Sequence, residues 1–442
     1  MNARISIMAS IVLAMLVSSM DTTIINTTMP IISKELGGFE LYAWSFASYM
    51  IVSTVVSPIA GRISDIFGRK KVFGLGLILF LIGSFLCGYS NTMLQLVIFR
   101  AVQGVGAGIL MPFPAIIAGD LFSVSQRGKI QALFSAMWGL SAILAPLLGS
   151  VFVEVLSWRW IFYINIPICI ISLLLLMPYK EVYEPKKSAI DYLGTVLFAI
   201  GVSLILLTTV VSSQQVLYAV LGIIFLLLFF VYERRHPAPI MPMRLFHNRA
   251  VAWMLANSFL SCVALFGTSS YVPLFLQQEG YSTFVSGVSL LGSSIGWMSV
   301  AVPAGKWILR YGYRPLIILA NVLLVLSGII LFFLDEGKGF WYVFVVMIVQ
   351  GMAFGLLTTV TTIGSQQLVD PHLKGISTSL QMFARNIGTA IGVIIMGVFF
   401  TKAADFFVGI HSLFLYGLIA SLVAFASSFF IRETTGAEAD QT

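Results

Sequence analysis

The chain has 442 residues, 59% hydrophobic and 10% charged, with a formal net charge of +7. Soluble globular chains hold roughly 45–50% apolar and about 25% charged residues, so no water-facing surface can be assembled from this sequence, and a soluble enzyme is excluded. In lipid every backbone amide must find its partner within its own span, and a bilayer core about 30 Å thick takes roughly 20 apolar residues.

Fourteen such runs are predicted, at about 5–33, 42–64, 72–90, 94–120, 128–153, 159–179, 190–211, 215–233, 250–277, 284–309, 315–334, 340–365, 373–400 and 408–431. The connections are short, the longest lying around 234–249, which leaves no room for a soluble catalytic domain. The first run has a basic flank at Arg4, as a signal peptide would, but it continues through Asp21 to Pro30 without a small-residue cleavage pattern. It is read as a retained span.

Basic residues set the orientation. With the N-terminus in the cytoplasm, the inside carries nineteen: Arg4, Arg62, Arg69, Lys70, Lys71, Arg127, Lys129, Lys180, Lys186, Lys187, Arg234, Arg235, Arg244, Arg249, Lys306, Arg310, Arg314, Lys374 and Arg432. Lys34, Arg159, Lys338 and Lys402 fall outside, and Arg100 and Arg385 lie within spans. That asymmetry requires an even number of spans with both termini cytoplasmic. The net charge therefore reflects topology, and no nucleic-acid partner is implied. Cys87, Cys169 and Cys262 sit in apolar runs without metal-ligand spacing, so they are read as core residues and no metal site is expected.

Span 1 carries M-D-T-T-I-I-N-T-T-M-P over 20–30, with Asp21 and Asn26. An ionised aspartate at that depth costs at least about 3 kcal/mol, so it faces the protein interior and serves an ion or substrate path. A proton and a cationic cargo can compete for such a carboxylate. A permanent pairing with a neighbouring span is the alternative. After span 2 comes G-R-I-S-D-I-F-G-R-K-K over 61–71, where glycines permit a tight return and Asp65 can pair with an arginine or a helix N-terminus. Span 4 reads R-A-V-Q-G-V-G-A-G from Arg100, a permanent charge at a depth Asp21 can approach. Span 5 reads G-L-S-A-I-L-A-P-L-L-G-S from Gly139, with Pro146 bending the helix. Span 6 opens W-R-W-I-F-Y-I-N-I-P over 158–167, where the tryptophans suit an outer interfacial belt.

The sequence repeats internally. Gly61 and Gly305 open similar loops 244 positions apart, Gln103-Gly104 matches Gln350-Gly351 at offset 247, and Arg127-Gly128 matches Lys374-Gly375 at the same offset. Spans 1–6 thus correspond to spans 9–14, with spans 7 and 8 inserted. Asp21 has no acidic counterpart: span 9 has Ala264 and Leu265 near the matching depth. Glu154 and Glu279 fall near outer helix ends, where water-exposed roles are expected.

These motifs together resemble the major facilitator superfamily, and those in spans 1, 5 and 6 resemble its fourteen-span drug:proton antiporter branch. The sequence departs from the antiporter motif in having Ala145 before the proline and Ser150 for the final glycine. The resemblance implies an all-α integral membrane protein with two six-helix halves, 1–180 and 241–442, and an inserted pair with its linkers at 181–240. It implies a proton-coupled antiporter exporting lipophilic, often cationic drugs such as quaternary ammonium compounds, dyes and fluoroquinolones, from a bacterial plasma membrane, by alternating access. Proton coupling falls to Asp21 and Arg100, and gating to Gly61, Arg62, Asp65, Gly68, Arg69 and Lys70. The antiporter motif is carried by Gly139, Pro146 and Gly149. Substrate contacts are expected from Asp21, Asn26, Trp138, Tyr271, Phe383 and Arg385. No cofactor is expected, only the proton gradient, and the partners are small-molecule drugs, protons and lipid around a monomer. An exporter of an endogenous metabolite or lipid would use the same scaffold. A channel would need a continuous polar pore, which these spans cannot line, and four scattered histidines supply no catalytic cluster.

Overall fold

A computed structural model describes residues 3–38, 41–181, 191–208, 210–211, 213–237, 239–401 and 406–431. Lys186, Lys187, Lys402 and Arg432 lie outside these residues, as do the side chains of Asn26, Pro146, Glu154 and Arg244. The chain is helical at each apolar run. In order these are α1 (Ala3–Leu36), α2 (Tyr42–Phe67), α3 (Arg69–Tyr89), α4 (Met93–Leu110, then Phe113–Leu121), α5 (Val124–Val151), α6 (Trp160–Tyr163, then Asn165–Leu176) and α7 (Tyr192–Leu207). There follow α8 (Gln215–Glu233), α9 (Arg249–Gln278), α10 (Thr283–Val288, then Leu291–Tyr311), α11 (Tyr313–Phe332), α12 (Gly339–Gln367), α13 (Lys374–Thr401) and α14 (Phe406–Ser428). Among the described residues nine helices are long and apolar enough to cross a bilayer, and the shorter apolar helices lie at Trp160–Leu176, Tyr192–Leu207 and Arg249–Leu265.

The breaks in α4 and α6 fall near prolines, whereas Pro58, Pro273 and Pro303 lie inside continuous helices. The run predicted as one span over 94–120 is two pieces, because Pro112 and Pro114 donate no backbone hydrogen bonds across the turn at Met111. In α6, Pro167 sits in the first turn of the piece Asn165–Leu176, where a helix has no use for the missing N–H. Span 5 ends in a wider π turn, Phe152–Leu156. Gly68 alone joins α2 to α3, with φ +99, a left-handed conformation that favours glycine.

The helices form two compact units. Unit 1 contains 1–121, 140–243 and 371–383, and unit 2 contains 122–139, 244–370 and 384–442. Each therefore takes the start of one helix, α13 or α5, from the other sequence half. Inside unit 1, α4 packs on α2 and α3, and α6 packs on α1 and α3. Inside unit 2, α12 packs on α10 and α11, and α14 packs on α9 and α11. The packing thus repeats as the sequence does. In unit 1 α7 lies against α8 and α2, and its Phe198 ring meets Phe229 of α8 and Phe383 of α13, each at 5.3 Å.

Candidate functional site

Asp21 is 2% exposed and sits in α1 within a polar network reaching four other helices. Arg100 of α4 donates to its Oδ2 from Nη1 at 2.5 Å. Gln103, one turn on, donates to Oδ1 from Nε2 at 2.8 Å, and Asn165 of α6 donates to the same oxygen at 3.3 Å. The second tier closes the network. Arg100 Nη1 also donates to Gln103 Oε1 at 2.7 Å, its Nε to the Ser45 carbonyl of α2 at 3.3 Å, and its guanidinium lies over the Tyr49 ring at 4.1 Å. Both amides donate to Ser84 Oγ of α3, at 2.9 Å from Gln103 and 3.3 Å from Asn165. A carboxyl group and a guanidinium are thereby held together in an apolar bundle. Removing either alone strands the other, which costs about 3–5 kcal/mol at a buried pair.

Sequence reasoning brought forward Asp21 and Arg100 and missed the rest. Gln103 stands inside the span 4 motif as a neutral residue, with no charge to mark it. Asn165 belonged to a segment used only for likeness, and Ser84 and Tyr49 carry no local signal at all.

A second charged cluster lies where α2 meets α3 and the start of α13. Asp65 Oδ1 accepts from Arg69 Nη1 at 2.5 Å and from the backbone N–H of Gly375 at 3.0 Å, and Oδ2 accepts from the N–H of Ile376 at 2.9 Å. These amides belong to the first turn of α13, where a helix leaves its N–H groups unpaired and its dipole favours a carboxylate. Arg69 also donates to Ser64 Oγ at 2.6 Å and from Nε to Asp120 Oδ2 of α4 at 3.1 Å. Lys70 Nζ donates to the carbonyls of Met177 and Tyr179 at 2.7 and 2.8 Å, which anchors the end of α6, and Glu181 accepts from the N–H of Arg69 at the start of α3. Arg62 is partly exposed. A Cβ on Gly61 would stand 2.6 Å from the Gly375 carbonyl, so α2 and α13 touch backbone to backbone. In unit 2 the repeat equivalents touch likewise: a Cβ on Gly305 of α10 would stand 2.6 Å from the Val124 carbonyl, and one on Gly128 of α5 would stand 2.9 Å from the Gly305 nitrogen.

Among the described side chains, the remaining expected residues do not join either cluster. Gly139 is buried with its Cβ position 3.1 Å from Ser294, Gly149 is buried, and Ser141 Oγ lies 2.5 Å from Ser19 Oγ of α1. Phe383 faces Phe198, Tyr271 packs beside the Phe275 and Phe414 core, and Trp138 is partly buried. Arg385 donates to Thr362 Oγ1 at 3.4 Å. Glu279 accepts from the N–H of Gly337 at 2.9 Å, an exposed loop contact. All three cysteines are buried thiols.

A family model described as Major Facilitator Superfamily matches residues 11–393 and 290–441. The chain belongs to that family. It is a multi-pass integral membrane transporter, not an enzyme, and works without a cofactor. Multidrug resistance protein 3 of Bacillus subtilis (strain 168) is 33% identical over 418 residues, covering 91% of this chain and 82% of that protein. Multidrug efflux pump SdrM of Staphylococcus aureus (strain N315) is 30% identical over 407 residues, covering 90% of each. Among solved structures, the human organic anion transporter MFSD10 superposes with a TM-score of 0.74 at 15% identity, over 98% of this chain and 100% of that one, a likeness of fold alone.

Proposed function

We propose that the chain is a fourteen-span, proton-coupled exporter of lipophilic compounds in a bacterial plasma membrane, a monomer with both termini in the cytoplasm. The excess of basic residues on one side supports the topology, and relatives named as multidrug pumps support the cargo class. The drugs implied by resemblance are quaternary ammonium compounds, dyes and fluoroquinolones.

The observation that carries the coupling is the Asp21–Arg100 pair, buried at 2.5 Å inside a cage of amides. Ionised, the carboxylate holds Arg100, Gln103 and Asn165 and so fastens α1 to α4 and α6. Protonated, it loses its charge and one acceptor position. Arg100 then keeps only Gln103, the Ser45 carbonyl and the Tyr49 face, and the tie of α1 to α4 weakens to the neutral hydrogen bond from Gln103. Proton entry from outside thereby drives the helix rearrangement, while alternation at the cytoplasmic side works through Asp65, whose grip on the first turn of α13 must release for that side to open. A cation that contacted Asp21 directly would have to displace a guanidinium, so the cargo's charge is read elsewhere.

The test is dye efflux from everted vesicles with and without a proton gradient, comparing the parent with Asp21→Asn. Efflux that needs the gradient in the parent and loses that dependence in the variant is expected. Gradient-independent efflux by the parent, or unchanged coupling in the variant, sinks the scheme.

A further inference from the structure

Arg100 and Arg385 both lie well inside apolar helices, and they are treated differently. Arg100 has a carboxylate, an amide oxygen, a backbone carbonyl and an aromatic face. Arg385, about three turns into α13, has one hydroxyl, Thr362 Oγ1 of α12, at the long distance of 3.4 Å. None of the ion pairs among the described residues includes it. Its own helices cannot supply a counter-charge, because α9 to α14 contain no aspartate or glutamate anywhere along their lengths. The acids of that half are Glu279, Asp335, Glu336, Asp370 and Asp405, in the connections between helices, with Asp405 outside the described residues, and those after 431 follow the last helix. Asp21, the carboxylate of α1, is held by Arg100.

A guanidinium stays ionised in any protein, and at this depth it costs about 3 kcal/mol or more without an anion to meet it. From roughly 16 Å along the helix, its side chain is too short to bring the charge fully into the headgroup region. A fixed, partly buried cation among helices that carry no acid is matched to a ligand that brings the anion, and the planar fork of arginine suits a carboxylate or comparable oxyanion in particular. At offset 247 the repeat partner of Arg385 is Trp138 in α5, so the same step of the two equivalent helices carries a cation in one and an aromatic ring in the other.

We propose that Arg385 receives a negatively charged group of the cargo, and that the transported class is flat apolar molecules bearing a carboxylate or equivalent oxyanion, zwitterions included. This rests on the export reading above and narrows it. Cargo with a positive charge alone would leave Arg385 unmatched.

Rhodamine 110 has a free carboxylate, and rhodamine 123 is its methyl ester on the same ring system. Binding of each to purified protein in nanodiscs is followed by fluorescence anisotropy for the parent, Arg385→Gln and Arg385→Lys, with monodispersity checked for every variant. The expected result is tenfold or greater loss of rhodamine 110 affinity in Arg385→Gln, rhodamine 123 unchanged within twofold, and partial recovery of rhodamine 110 in Arg385→Lys. Equal loss of both dyes, no loss of either, or a parent that binds neither dye or prefers the ester overturns the proposal. Export is judged separately in everted vesicles: a parent that binds rhodamine 110 through Arg385 but never moves it against a gradient would refute export and leave the anion site standing.

Discussion

The carboxylate of Asp65 accepts the backbone N–H of Gly375 at 3.0 Å across 310 positions of sequence, so an acid at the end of α2 caps the helix that opens the last pair of spans. Its two oxygens together take two first-turn amides and Arg69. Asp65→Asn keeps the size but replaces one acceptor oxygen with a donor that faces these N–H groups, and it strips Arg69 of one of its two acids. A loss of about 3–5 kcal/mol is expected from the broken buried pair. Lower thermal stability in detergent, together with tenfold or slower efflux per folded molecule, is the expected readout. Wild-type efflux in Asp65→Asn would show that the cap is not a working part.

The glycine contacts make a paired prediction. Gly61 and Gly305 occupy equivalent places in the repeat, and each leaves no room for a Cβ against the backbone of the helix it touches. Gly61→Val and Gly305→Val should each reduce efflux at least tenfold, since backbone cannot move aside as a flexible side chain does. Gly287→Ala is the control, because nothing lies within 4 Å of its Cβ position. Equal tolerance at all three would mean that these close approaches carry no constraint on transport.

What the sequence shows and what it hides follow from how each feature is encoded. Helices were legible because long apolar runs have one solution in lipid, and Asp21 and Arg100 stood out because charges there are rare. Their cage was not legible: Ser84, Gln103 and Asn165 are neutral polar residues on separate helices, and only the packing of α3, α4 and α6 brings them to one carboxylate. The breaks in α4 and α6 belong to prolines that a hydropathy window averages away. The clamp at Glu181 joins a loop residue to the N–H of Arg69, 112 positions away, with no motif at all to announce it.

Geometry at Arg100 separates charge from shape. Its Nη1 and Nε reach Asp21, Gln103 and the Ser45 carbonyl while the plane stacks on Tyr49. Lysine preserves the charge but offers one compact head that cannot fork or stack. Arg100→Lys is expected to cut gradient-driven efflux tenfold or more while the protein still reaches the membrane in normal amount. Full efflux from this variant, measured in the same everted vesicles, would reduce the role of Arg100 to that of a bare counter-ion.

Unit 2 answers the charged cage with a neutral one. Asn257 of α9 donates to the Ala424 carbonyl and Ser427 Oγ of α14, each at 2.8 Å, and accepts from Asn321 of α11 at 3.1 Å, while Ser261 donates to Asn321 at 3.1 Å. The same three helix positions, first, third and sixth in each repeat, are therefore tied in both units, but here no group can gain or lose a proton near neutral pH. Such a network holds helices together without switching them. Asn257→Leu should cost about 1–3 kcal/mol, because it leaves the Asn321 amide buried and underserved. Replacing both asparagines by leucine removes the stranded partner as well, so the double variant should lose less than the sum of the singles. Thermal unfolding in detergent reads the stability change, and vesicle efflux per folded molecule should remain within twofold of the parent, in contrast to Asp21→Asn. Loss of proton dependence in Asn257→Leu would overturn that division and make the second unit a partner in coupling.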